Sequence, residues 1–159
     1  MVRIVERGEV VEGAQITRTT SKDRFAPLDL VLITIILKNL RENVDLVFVA
    51  QSSWVDYTFN LVFSNQKPVP RTLFGQRILE LSSEITRIVE ERLKPGQAVI
   101  LTIPLNRLFD MTLADTYELS VSRSIEREDD SGFVDIISNR ILIEISAAVG
   151  ENLDPEQVI

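Results

Sequence analysis

The side chains that could do chemistry in this sequence are carboxylates, hydroxyls, a few lysines and the neighbouring rings of Trp54 and Tyr57, because the chain has neither cysteine nor histidine. Thiolate nucleophiles, thiolate and imidazole metal ligands, and every arrangement in which histidine relays a proton near neutral pH are therefore excluded. The densest set of hard oxygens is Glu126, Glu128, Asp129, Asp130 and Asp135. It would suit calcium, which takes about six to eight oxygen ligands, but its spacing is not that of a helix–loop–helix calcium site. A charge run of this kind reads first as a solvated loop. Glu90 with Glu91, and Asp129 with Asp130, are adjacent carboxylates surrounded by charge, with no desolvation to separate their pKa values for acid–base work. Lys22, Lys38, Lys67 and Lys94 read as surface or turn residues, which stay protonated and cannot serve a serine as base. The six glycines are scattered, so no phosphate-cradling loop is present. The expectation is a non-enzyme with no cofactor and no metal.

Two groups could instead recognise a partner. Trp54 and Tyr57 follow the polar stretch Gln51 to Ser53 and could form an aromatic platform for a sugar or a peptide, although large amphipathic rings more often sit half buried in a core or at its rim. Asn65, Gln66 and Lys67, between Ser64 and Pro70, could form a rigid turn presented to another protein, as loops on sandwiches often do. Trp54, Tyr57, Asn65, Gln66 and Lys67 are the candidate interaction residues.

The elements that must position these residues read as strands. Seventeen basic against twenty-four acidic side chains give a formal charge of −7, which disfavours nucleic acid and anionic lipid as partners. Met1 to Gly13 is charged and lacks the apolar core of a signal peptide, and the apolar run Leu28 to Leu37 is about half the roughly 20 residues a membrane helix needs. The cytoplasm is the default location, with periplasmic or secreted placement as the alternative should a signal segment have been removed. Strand patterns fall at Gly13–Thr20, Leu28–Asn39, Val44–Ala50, Tyr57–Ser64, Gln97–Ile103, Thr116–Arg123 and Ile137–Ser146. Leu28–Asn39 has apolar and β-branched residues on both faces, as a central, doubly covered strand would. Tyr57, Phe59, Leu61 and Phe63 form one clean row, and Tyr117, Leu119 and Val121 another. Lys94-Pro95-Gly96 predicts a type II turn. Leu105–Asp110 reads as a corner between sheets with room for one helical turn. Leu73–Leu93 has helical spacing at Ile78, Leu81, Ile85, Ile88 and Val89, but Gly75 interrupts its front and no capping box precedes it, so a short helix and an extended edge segment are comparable readings, of which the extended one is taken.

In order, RGEVVEG (Arg7 to Gly13), LVLITIILKN (Leu30 to Asn39), LKPGQAVILTIPL (Leu93 to Leu105), LFDMTLADTYELSVSR (Leu108 to Arg123) and ISNRILIEI (Ile137 to Ile145) resemble bacterial immunoglobulin-like or fibronectin-like sandwich domains of uncharacterised function. The resemblance implies an all-β, immunoglobulin-like antiparallel β-sandwich of Greek-key type with about seven to nine strands, occupying residues 1–150, with a loose tail at 151–159. It places Tyr117 at the tyrosine corner. Ala114-Asp115 stands where such domains usually have Pro-Gly, which implies that Asp115 adopts a conformation glycine reaches more easily.

The function expected is a non-catalytic module that binds another protein or a neighbouring domain through loops or an exposed sheet edge. One alternative is a proteinase inhibitor of the bacterial intracellular type, whose arrangement of sandwich and protruding loops is similar. The other is a carbohydrate- or calcium-binding accessory domain. Oligomeric state is not legible at this level.

Overall fold

The computed structural model describes residues 4–50, 56–84, 89–138 and 140–147. Their order is β1 (Ile4–Arg7), β2 (Ala14–Thr20), β3 (Arg24–Phe25), β4 (Leu32–Asn39), β5 (Leu46–Ala50), β6 (Thr58–Val62), α1 (Leu73–Glu84), β7 (Val89–Leu93), β8 (Ala98–Pro104), α2 (Leu105–Leu108), β9 (Asp115–Glu126), β10 (Phe133–Ile137) and β11 (Ile141–Ile145). The protein is mostly β. No helix among the described residues is long and apolar enough to cross a membrane. Trp54 and the 151–159 tail lie outside the described residues.

The first sheet runs β1-β2-β4-β8 and is antiparallel throughout. The β1–β2 link closes through Val11 and Ala14, which exchange hydrogen bonds of 2.9 Å, with Glu12 at φ 50° and Gly13 at φ 75°. Positive φ at both central positions is the type I′ geometry that matches strand twist. Gly13 is also needed for space, since a Cβ there would lie 2.4 Å from Cγ of Arg41.

The second sheet is built on β9. β6 lies along one edge, with Thr58 opposite Ser122 and Val62 opposite Glu118. β10 and β11 follow one another along the other edge, against residues 122–126 and 115–119. At the break between them Ser138 replaces the ladder: its hydroxyl accepts from the Val121 N–H at 2.8 Å and donates to the Val121 carbonyl at 2.9 Å. The short β3 adds to β11 in parallel. β5 and β7 form a separate two-stranded ladder.

Period-two alternation fills the space between the sheets. Ile16, Ile33, Ile35, Leu37 and Ile103 from the first sheet join Phe59, Leu61, Leu119, Val121 and Ile143 from the second in one buried cluster. Tyr117 is also buried, and its hydroxyl donates to the Leu113 carbonyl at 2.6 Å, four residues upstream. Burial, with Asp115 and Asp110 opposing a phenolate nearby, pushes its pKa up to about 12. A raised pKa means that this contribution to folding is complete below the ordinary phenol value of about 10 and is lost as pH rises to about 12. The urea midpoint is therefore expected to fall across that window, and less steeply in Tyr117→Phe, where Tyr57, also raised by burial, leaves a residual slope. Equal slopes in both proteins would place the alkaline sensitivity elsewhere.

Three expectations are corrected. Residues 73–84 are helix, not an extended edge. Thr72 supplies the cap, its hydroxyl accepting from the Gly75 N–H at 2.9 Å, and Gly75 is where α1 meets α2: a Cβ there would lie 2.0 Å from the Leu108 carbonyl oxygen. Among the described residues of the segment, only its end, β7, is extended. β4 begins at Leu32 rather than Leu28 and has one dry face. Ile33, Ile35 and Leu37 are buried while Leu32 and Lys38 are exposed and Thr34 and Ile36 half-buried, so its branched residues report strand propensity rather than double cover. Asp115 has no positive φ. It joins β9 opposite Ile145, and its carboxylate accepts from the N–H groups of Thr116 at 2.8 Å and Ser64 at 3.3 Å.

Candidate functional site

β8 stands at the end of its sheet. The orientation of its backbone follows from the hydrogen bonds that bracket its ladder with β4. Leu105 N–H donates to the Val31 carbonyl at 2.8 Å, and Asn39 N–H donates to the Gln97 carbonyl at 3.0 Å. Bonded and non-bonded pairs alternate in an antiparallel ladder, and between those two pairs the register is unbroken, with Leu32 opposite Pro104 and Lys38 opposite Ala98. Val99, Leu101 and Ile103 therefore point their backbone groups at β4, while Ala98, Ile100 and Thr102 point theirs away from it. Pro104 has no N–H and ends the row of donors. Among the described residues, no backbone group pairs with this outer row.

The side chains alternate with the same period. Ile103 is fully buried, but Val99 and Leu101, which also face inward, are only half-buried, and Ile100 is 65% exposed on the outer face. The incomplete cover has a local cause. Beside Val99 and Leu101 lies a dent of about 80 Å³ that is also lined by Ile100, Asp56, Tyr57 and Arg123. Arg123 continues the inward row of β9 and is buried. Its guanidinium lies between the rings of Phe48 and Tyr57, at 4.4 and 4.8 Å from their centroids, donates to the Val49 carbonyl at 3.1 Å and has Asp56 at 3.9 Å. A desolvated cation facing two aromatic rings gains about 2 kcal/mol or more, which holds Arg123 in the wall of the dent. A second cleft, of about 340 Å³, is also bordered by Arg123 and Asp56, together with Val49, Thr58, Ser124 and Phe133.

Among the described residues expected to bind a partner, Tyr57 is not brought together with Asn65, Gln66 and Lys67. Tyr57 is buried, 5% exposed, with its ring beneath Arg123 and tilted against Phe59. Asn65, Gln66 and Lys67 lie beyond the opposite end of β6 in an exposed turn. That turn is ordered by its own bonds: Asn65 Oδ1 accepts from Lys67 N–H at 2.9 Å, and Phe63 N–H donates to the Lys67 carbonyl at 2.9 Å.

Two carboxylates of the acidic stretch, and one of its backbone N–H groups, are held by local bonds. Asp135 accepts from the Ser124 hydroxyl, Asp129 from the Ser131 N–H at 3.1 Å, and Glu128 donates its own N–H to Glu12 at 3.2 Å. Among the described residues, no three acidic side chains are grouped to hold a metal ion. Another opening, of about 460 Å³, is bordered by Arg92 and Arg127 as well as by Asp45, Glu126, Glu128 and Asp130, a mixed-charge rim. The guanidinium of Arg41 there is already occupied: Nε donates to the Glu12 carbonyl at 2.8 Å, Nη1 to Asp45 at 2.9 Å and Nη2 to Glu126 at 2.7 Å.

Three buried arginines escape a reading by composition. Arg18, fully buried, donates to the Leu119 carbonyl at 2.6 Å across the core. Its position was available as the next place in the inward row Ala14–Ile16, as Arg123 was after Leu119 and Val121. Arg41 gave no such signal, because it sits in the polar turn after β4. No protein-family model matches the chain, and no curated protein matches it.

Proposed function

We propose that the protein is an immunoglobulin-like sandwich that binds another polypeptide without catalysis by accepting an extended segment along β8. The fold half of this reading is supported by the strand order. β2, β4 and β8 lie together in one sheet, β6, β9 and β10–β11 in the other, and the short β3 crosses to pair in parallel with β11. The Tyr117–Leu113 bond at the start of β9 is similar to the tyrosine corner of Greek-key sandwiches and supports the reading.

The observation that carries the functional half is the outer row of β8. Three N–H groups at every second residue, with carbonyls between them, are matched by only one kind of ligand, an extended chain, and strand addition gives affinity from main-chain bonds alone. The seven residues Ala98–Pro104 include no charge to repel an incoming strand, although charged side chains are a common protection for edges that must stay unpaired. An added strand would also place inward side chains beside Val99 and Leu101, completing the cover they lack. The dent of about 80 Å³ next to them suits a short side chain rather than a ring.

The test is selection of peptides from a random display library against the immobilised protein, with Ile100→Pro as the comparison. Binders that lose at least tenfold in affinity against Ile100→Pro, and that shift the amide resonances of residues 98–104, are the expected result. Binders that map to loops and ignore the substitution would overturn the reading.

A second reading has one observation in its favour. The turn at Asn65, Gln66 and Lys67 is exposed and internally bonded, which are the properties an inhibitory loop for a proteinase would require. Titration against a panel of serine proteinases and metalloproteinases, with Lys67→Ala beside the native chain, would reveal it as stoichiometric inhibition lost in the variant.

A further inference from the structure

We propose that the segment received by β8 is the β8 of a second copy of this chain, so that two first sheets join across a two-fold axis into one continuous sheet. The proposal rests on the strand-accepting reading and names its partner. A two-fold interface must be self-complementary, and the outer row of β8 meets that condition. With the axis at Leu101 and the strands antiparallel, Ile100 faces Thr102 of the second copy and Ala98 faces Pro104 of the second copy. Every outward N–H then finds a carbonyl: Ile100 and Thr102 exchange bonds in both directions, and Ala98 donates to the carbonyl of Pro104. The missing N–H of Pro104 falls at the last pair, where no donor is required of it.

The side chains agree with this register. On the outer face the cross-strand pairs are Ile100 with Thr102 on both sides of the axis, β-branched residues that pair well on a pleated surface. On the inner face Leu101 meets Leu101 of the second copy in a non-hydrogen-bonded pair, where side chains approach closely. Val99 meets Ile103. The two inward residues left half-buried in one copy, Val99 and Leu101, are thus covered by the other. No charged residue lies in either facing strand, so no like charges meet. The whole chains repel, each carrying −7, and this sets the salt dependence: added salt screens the repulsion, and association strengthens as ionic strength rises.

Sedimentation velocity across a concentration series measures this directly. The expected result is a monomer–dimer equilibrium whose dissociation constant falls at least about threefold between low and high salt, and a monomer for Ile100→Pro. That substitution removes an outward N–H without touching the ladder with β4, and an unchanged circular dichroism spectrum establishes that it still folds. Ile100→Lys provides a second variant. It keeps every N–H and sets two lysines diagonally across the axis, about 7–8 Å apart, and it too should be monomeric. A dimer that persists in both variants would overturn the proposal. A native chain that stays monomeric at every concentration and salt would also overturn it. In that case, selected peptides that still bind β8 would leave the strand-accepting reading standing, and their absence would remove both.

Discussion

Replacement of Arg41 by methionine is expected to lower the unfolding free energy by about 3 kcal/mol or more, as read from urea denaturation. The guanidinium joins the carbonyls of Glu12, Asp45 and Glu126, which belong to the β1–β2 turn, the segment before β5 and the end of β9. Methionine keeps much of the hydrocarbon stem but leaves three acceptors without their donor. A buried polar group deprived of its partner costs about 1–3 kcal/mol. Against this, removing a buried cation recovers part of its desolvation penalty, so the net loss is smaller than the sum of three. Arg41→Lys should fall between the two proteins, since one ammonium cannot reach three separated carbonyls in the same planar fork. A loss below about 1 kcal/mol in the methionine variant would mean that water replaces the guanidinium and that these bonds do not hold this end of the molecule together.

The second large effect is at Gly75, where two principles predict opposite signs. On helix propensity alone, Gly75→Ala should stabilise α1 by about 1 kcal/mol. The structure predicts the reverse. The new Cβ would sit 2.0 Å from the Leu108 carbonyl oxygen and 2.8 Å from its carbon, and these are backbone atoms that no rotamer change can move. Overpacking of this kind costs about 1–3 kcal/mol, and α1 would have to lift from α2, so a net destabilisation of about 2 kcal/mol is expected. Gln76→Ala, one position along on the exposed side, should change stability by no more than about 0.5 kcal/mol. Stabilisation by Gly75→Ala would mean that α1 does not rest on α2 at this residue.

These two residues also mark the limit of what could be read in the sequence. Alternation located the inward rows of β6 and β9, because both strands have one dry and one polar face. The Lys94-Pro95-Gly96 turn was legible for the same local reason, and the structure shows Gly96 at φ 82° with the Gln97 N–H donating to the Lys94 carbonyl at 2.9 Å. The tie of the Tyr117 hydroxyl to nearby backbone was legible through the resemblance, and the structure shows it bonded to the Leu113 carbonyl. Gly75 misled because its role is a tertiary contact: a glycine that lets two backbones approach looks, in one dimension, like a helix breaker. β4 misled because apolar residues on both faces do not reveal whether a second layer covers the outer one.

The candidate site was the least legible part. Whether a strand becomes an edge is decided by topology, so nothing local to Ala98–Pro104 distinguishes it from a central strand. The aromatic signal at Tyr57 proved to be the underside of a buried arginine, a pairing that brings residues 57 and 123 together only in three dimensions. Asn65, Gln66 and Lys67 were read correctly as a turn, since their order comes from bonds within five residues.

The free edge of β8 is tested most directly by amide hydrogen exchange along residues 98–104 in dilute solution, where copies do not meet. The account predicts alternation: slow exchange at Val99, Leu101 and Ile103, whose N–H groups bond to β4, and fast exchange at Ala98, Ile100 and Thr102. Uniform protection of all six in the isolated monomer would contradict it, because the outer row would then already be covered from within the chain.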